Sequence, residues 1–146
     1  MNIHDAIPHR PPFLLVDEIV GIEGNTIRTR KRLALDDAIF NGHFPGFPLL
    51  PGVLVCEAII QSGAILIAHL QAAGMQNRVP VLTRINNARF KNMVRPGDML
   101  EMHAALNEQL AGAFFMQGSA RVNGKLAVSL EFACTSIESG ERNTAH

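Results

Sequence analysis

The chain has 146 residues, a length that fits one domain with a real core, and its 13 Lys plus Arg balance 13 Asp plus Glu. Zero net charge and the absence of Trp and Tyr argue against a basic, base-stacking surface for nucleic acid, and nothing global points to a membrane. Two cysteines without metal or redox spacing, and an N-terminal stretch that holds Asp5 and no apolar core, argue against a metal or redox motif and a secretory signal and toward a reducing cytoplasm.

In chain order, Phe13 to Val20 and Thr26 to Ala34 read as two strands about a Gly24-Asn25 turn. Asp36 to Pro51 reads as a loop, with a short helical turn near Asp36-Asp37-Ala38. Pro51 suits the first turn of a helix, where its missing N–H is not needed. From Val53 to Leu70 nearly every residue is apolar or small, and Glu57, Gln61, Ser62 and His69 are the polar interruptions. A helix apolar all round is a buried central helix. Glu57 and Gln61 break the run short of the roughly 20 apolar residues of a membrane span. Gly74 is the expected C-terminal stop.

Val79 to Phe90 reads as a further strand, and then the pattern changes to period two. Leu100, Met102, Ala104 and Leu106 alternate with Glu101, His103 and Ala105, as Leu126, Val128, Leu130, Phe132 and Cys134 do with Ala127, Ser129, Glu131 and Ala133. Such alternation marks half-buried strands. Asn123-Gly124 is a two-residue hairpin signal joining Ala113–Val122 to Lys125–Ile137. Residues 1–137 are expected to form a single domain, with 138–146 a polar, flexible tail. The pattern by itself gives an α+β class, one helix packed on one sheet.

The chemistry concentrates in the run from Gly42 to Gln61. His43 lies in a Pro/Gly-rich loop, and Glu57 follows it by fourteen residues inside the apolar helix. Imidazole titrates closest to neutrality, and a carboxyl among apolar neighbours has its charged form disfavoured. Two titratable groups in contrasting environments suit a paired base and acid. Gln61 is four residues from Glu57 and lies on the same helix face. The N–H groups of Gly52 and Val53 fall at the positive end of the helix, where an oxyanion is stabilised. Each residue also has a plainer reading: His43 as a loop histidine bonded to backbone, Glu57 as a salt-bridged helix residue, Gln61 as a polar residue satisfying a neighbouring backbone. Cys56 adjoins Glu57 but points about 100° away on a helix, which makes it packing rather than a nucleophile. His4, His9, His69, His103 and His146 show no metal-ligand spacing, so no metal is expected, and His103 reads as an exposed strand position.

The run Gly-His-Phe-Pro-Gly-x-Pro-x-x-Pro-Gly-Val-Leu-x-x-Glu-Ala-x-x-Gln, from Gly42 to Gln61, resembles the signature of 3-hydroxyacyl-(acyl-carrier-protein) dehydratases of the FabZ type. Pro8-His9-Arg10-Pro11-Pro12-Phe13-Leu14-Leu15-Val16-Asp17 is similar to that family's opening. Ala88-Arg89-Phe90-Lys91 with Val94-Arg95-Pro96-Gly97-Asp98 is similar to its second-half motif, so the likeness runs from about residue 7 to 132. The related isomerising FabA type carries Asp where this chain has Glu57, which favours the non-isomerising type. The resemblance implies the hot-dog fold, a curved antiparallel sheet wrapped around one long central helix.

It also implies dehydration of a 3-hydroxyacyl thioester to the trans-2-enoyl thioester, in fatty-acid or related polyketide or polyene synthesis. The expected roles are His43 as base, Glu57 as acid, the Gly52 N–H (with Val53) as oxyanion donor, and Gln61 as the residue orienting Glu57 or a water. No cofactor or metal is implied. The substrate would arrive on the phosphopantetheine arm of an acyl carrier protein, and the enzyme would be a homodimer with shared sites, in some relatives a trimer of dimers. Arg84, Arg89, Lys91 and Arg95 form an acid-free segment that either docks the acidic carrier or is a solvated strand face, and Arg28, Arg30, Lys31 and Arg32 form a second basic run. The chain departs from the family pattern at Val79-Pro80-Val81-Leu82-Thr83-Arg84, where relatives often carry an aromatic and a Gly, and Gly74 to Pro80 is short. That departure leaves acyl length and pathway open. The rivals are a thioesterase of the same fold, which has no evident use for His43, and a non-catalytic acyl-binding assembly subunit, which has no need of His43 or Glu57.

Overall fold

The computed structural model describes residues 2–40, 46, 48–71 and 78–138. A short helix α1 (Ile3–Ala6) precedes strands β1 (Glu18–Glu23) and β2 (Thr26–Arg32), a 3-10 turn at Ala38–Phe40, helix α2 (Gly52–Leu70), and strands β3 (Arg78–Phe90), β4 (Met99–Leu110), β5 (Ala113–Val122) and β6 (Lys125–Glu138). All six strands form one antiparallel sheet in the order β1-β2-β4-β5-β6-β3. This is the hot-dog arrangement that the resemblance implies.

Alternation along the strands puts Leu100, Met102, Ala104, Met116, Leu130 and Phe132 on the face that meets α2. Every residue of α2 from Ala58 to Ala68 is buried. By length and composition α2 is apolar enough to cross a membrane, but it is the core helix of the sheet. Its closeness to the sheet depends on glycine. An ideal Cβ on Gly63 would stand 2.6 Å from Phe132 Cζ, and one on Gly118 would collide with Ile59 and approach the His103 carbonyl oxygen to 2.9 Å. Ser62, buried between helix and sheet, is satisfied by Thr29 Oγ1 at 2.7 Å and the Ala58 carbonyl at 2.9 Å.

The turn at Asn123-Gly124 forms with both residues at positive φ (51° and 79°), as that dipeptide demands. The first strand differs from expectation: it starts at Glu18 rather than Phe13. Residues 13–17 are held instead by a side chain of α2 and by the Asp17 N–H to Arg30 carbonyl bond, so Leu15 and Val16 enter the core without a strand ladder while Phe13 stays exposed. The second strand ends at Arg32, and α1 was not foreseen. Helix α2 stops at Leu70, where the Gln71 N–H bonds the Ile67 carbonyl, while the expected stop at Gly74 lies outside the described residues. Strand β6 runs through Glu138, so only 139–146 of the expected tail remain, and these too lie outside the described residues.

Candidate active site

Glu57 lies in the second turn of α2 and is the one half-buried residue in an otherwise buried run from Val55 to Ala68. Its side chain is 23 % exposed, so it is partly solvated rather than enclosed by apolar neighbours. One turn on, fully buried Gln61 donates through Nε2 to Glu57 Oε2 at 2.9 Å. The same Nε2 donates to the Phe13 carbonyl at 2.9 Å, and Gln61 Oε1 accepts from the Leu15 N–H at 2.8 Å. The one amide thus bonds both the backbone of residues 13–15 and the Glu57 carboxyl. Oε1 of Glu57 has no hydrogen-bond partner among the described residues.

His9 is the residue the sequence reading left without a role. Its Nε2 lies 3.7 Å from Glu57 Oε2, and its ring stacks on Phe13 with centroids 6.2 Å apart. Burial holds its pKa below the ordinary histidine value; the Glu57 carboxylate opposes that shift and the Arg10 guanidinium adds to it. The pair is therefore a neutral imidazole beside a carboxyl rather than an ion pair at neutral pH. Its position inside Pro8-His9-Arg10-Pro11-Pro12, within the opening motif of the resemblance, was the available signal.

Gly52 begins α2, and among the described residues nothing accepts the N–H of Gly52 or Val53. The Pro51 carbonyl already takes the N–H of Leu54 and Val55. The Phe90 ring lies over Gly52, where a Cβ would come within 2.6 Å of it. A cleft of about 230 Å³ adjoins this helix end, lined by residues that include Gly52, Val55, Phe90 and Met93. His43 lies outside the described residues.

Both cysteine thiols are packing groups. Burial pushes Cys56 up, and burial together with the Glu57 charge pushes Cys134 up to about 12. Among the described residues no group of three or more His, Cys, Asp or Glu is placed to hold a metal ion. Arg84, Arg89, Lys91 and Arg95 are all exposed and make no ion pair within 4.0 Å among the described residues. Arg84 stands over the Phe115 ring at 5.9 Å. In the second basic run, by contrast, Arg30 pairs with Glu18 at 2.6 Å and Lys31 with Asp17 at 3.2 Å. Those charges are committed to the β1–β2 hairpin.

A family model described as the FabA-like domain matches residues 7–131. The chain is 41 % identical over 127 residues to "3-hydroxyacyl-(acyl-carrier-protein) dehydratase FabZ" of Nitratidesulfovibrio vulgaris, covering 86 % of this chain and 82 % of that one. It is 39 % identical over 132 residues to the protein of the same name from Rickettsia bellii, covering 90 % of each. Among solved structures it is similar to the dehydratase heterocomplex ApeI:P from Xenorhabdus doucetiae, with TM-score 0.83, 14 % identity and 99 % and 97 % coverage. It is also similar to the E. coli PaaI protein, with TM-score 0.64, 13 % identity and 81 % coverage of each chain. At those identities the structural likenesses speak for the fold.

Proposed function

The chain belongs to the FabA-like family, and within it to the FabZ-type 3-hydroxyacyl-(acyl-carrier-protein) dehydratases, and from that premise we propose how its own residues remove water from the substrate. A base takes the proton from the carbon beside the thioester carbonyl, and negative charge builds on the carbonyl oxygen. The C–O bond at the third carbon breaks as an acid gives its proton to the departing hydroxyl. The electron pair becomes the trans-2 double bond, and water leaves. Glu57 is the acid and His43 the base, each role worth about 10²–10⁴ in rate. The Gly52 N–H, which nothing among the described residues accepts, receives the carbonyl oxygen, a term of about 3–4 kcal/mol. Val53, the next residue, offers a second N–H at the same helix end. The observation that carries this reading is Glu57 itself: one oxygen is fixed by buried Gln61, the other has no partner among the described residues, and the carboxyl is partly open to solvent.

The active form is a dimer of this chain in the cytoplasm, working in fatty-acid or related acyl-chain synthesis on substrate carried by an acyl carrier protein. The support for a partner is the edge strand β3: nothing among the described residues pairs with its outer side. Along it Val81, Leu82, Ile85 and Phe90 are 38 % to 55 % exposed. A long, apolar, unpaired edge is a pairing surface. The Xenorhabdus neighbour is a heterocomplex, which makes a non-identical related chain the alternative occupant of that edge. Lys91 and Arg95, next to β3 and without an ion-pair partner among the described residues, are the docking site for the acidic carrier, with Arg84 and Arg89 along the strand itself.

The test is to incubate the protein with a 3-hydroxyacyl carrier thioester and weigh the product. Loss of one water is expected; release of the acyl group would make it a thioesterase, and no change would make it a binding subunit. His43→Ala and Glu57→Gln are each expected to lower turnover by at least about 10² with the fold retained. Near-wild-type turnover in either removes that residue from the mechanism.

A further inference from the structure

Two donors converge on the same oxygen of Glu57, and this has a consequence for its proton. Gln61 Nε2 stands 2.9 Å from Oε2, and His9 Nε2 stands 3.7 Å from it. The His9 distance is too long for a hydrogen bond in the free protein, and catalytic contacts of this kind shorten in the substrate complex. His9 Nδ1 is fully enclosed and has no hydrogen-bond partner among the described residues. A neutral imidazole carries one N–H. On Nδ1 that proton would be a buried donor with no acceptor; on Nε2 it faces a carboxyl oxygen. The geometry thus assigns the Nε2–H tautomer.

The ring is held in place for this. Arg10 spans the preceding turn, donating from Nη1 to the carbonyls of Ile7 and His9 and from Nη2 to that of His4. Phe13 backs the ring, and its own carbonyl is bound by Gln61. His9, Phe13, Gln61 and Glu57 therefore form one connected assembly, in which the Phe13–Gln61 bond joins positions 48 apart in sequence.

We propose that His9 is a positioning residue: with Gln61 it directs donors at Oε2 of Glu57 and so leaves Oε1 as the oxygen that carries the proton given to the leaving hydroxyl. The inference rests on the reading of Glu57 as the acid. His9 touches no reacting atom in this scheme. Among the described residues, the charged and titratable groups around the assembly are Arg10 on the same segment, Glu57 on α2, and the Cys134 thiol of β6, which stays protonated.

The experiment compares His9→Phe, which keeps a ring against Phe13 but has no donor, with His9→Gln, whose amide nitrogen reaches the place of Nε2. Full pH profiles of kcat and KM are measured on the intact protein, with circular dichroism as the check of fold. His9→Phe is expected to lower kcat about 10- to 100-fold with KM within about two-fold, and His9→Gln to restore most of kcat. A donor aimed at a carboxylate favours its ionised form. Removing it lets Glu57 keep its proton to higher pH, so the basic limb of kcat moves upward in His9→Phe and back in His9→Gln. Wild-type kcat and an unmoved limb in His9→Phe overturn the proposal. So does a loss of kcat in both variants with the limb unmoved, which is what a purely structural histidine gives. If His9→Phe does not fold, His9→Gln decides alone: retained kcat supports the proposal, and a folded protein with the loss seen in Glu57→Gln overturns it. Glu57→Gln is the control for the underlying reading. If that variant is active, the reading of Glu57 fails; if it is inactive while His9→Phe is normal, only the role of His9 fails.

Discussion

Gln61 and Glu57 are joined on consecutive turns of α2 by a 2.9 Å bond from Nε2 to Oε2, and the same amide carries the backbone of residues 13–15. One side chain thus sets both the acid and the wall beside it. Gln61→Leu keeps the volume and loses every bond. It leaves the buried Leu15 N–H without an acceptor, at a cost of about 1–3 kcal/mol. A lower Tm and a fall in kcat together are expected. An unchanged Tm would show that water replaces the amide and that the lashing is not structural.

The open edge of β3 gives a second expectation. Val81→Lys with Ile85→Lys puts two charges on the most apolar part of that edge. Light scattering at micromolar concentration is expected to show a dimer for the wild type and a monomer for the double variant, with turnover lost alongside. A variant that stays dimeric and active moves the interface to another surface.

Carrier recognition is tested by Lys91→Glu with Arg95→Glu. Both side chains are exposed and make no ion pair among the described residues, and Arg95 is tied to the fold through its backbone N–H bond to Asp98 Oδ2, at 2.8 Å, which the substitution leaves in place. Rim charges act on encounter and are screened over about 10 Å at 0.1 M salt. KM for a carrier-bound substrate is expected to rise, more at low salt than at high, while a small thioester analogue turns over as before. Equal loss on both substrates assigns these residues to the fold or the site.

Folding stability should carry the signature of His9. Its pKa is held below the ordinary value of 6.5 by burial, so the unfolded chain binds the proton more tightly than the folded one. Stability is then fully present above the unfolded value and falls as pH drops through it toward the lower folded value. Tm measured from pH 8 to pH 5 is expected to fall less in His9→Gln than in the wild type. The same slope in both would mean that His9 is solvated when protonated in the folded state.

The parts of the fold that were legible in the sequence are those whose cause is local. Pro51 followed by an unbroken apolar run dictates α2, Asn123-Gly124 dictates a hairpin, and period-two alternation dictates β4 and β6. The misplaced first strand had no local cause. Phe13 to Val16 are apolar, but the Phe13 and Leu14 N–H groups close a turn on the Arg10 carbonyl, and the Leu15 N–H and the Phe13 carbonyl go to a glutamine 46 and 48 residues away, which no periodicity reveals. The same separation hid His9. Its partner Glu57 is legible as a carboxylate in an apolar helix, but only the folded chain brings α2 against the segment before β1. Gly52 was legible because a helix start exposes its N–H groups whatever surrounds it.

The glycines under α2 bear on which substrates fit. At Gly63 and Gly118 the helix and the sheet are so close that a single methyl group would meet Phe132, Ile59 or a backbone carbonyl. At these two glycines the helix and the sheet stand too close for an acyl tail to pass between them. On the proposed placement of the thioester at Gly52, a fatty tail would leave along the other flank of the helix, where the cleft beside Phe90 and Met93 opens. The ruler for chain length would then be assembled rather than inherited, with one wall from this chain and one from whichever chain it associates with. Exchanging the associated subunit would change the preferred tail while leaving Glu57 untouched.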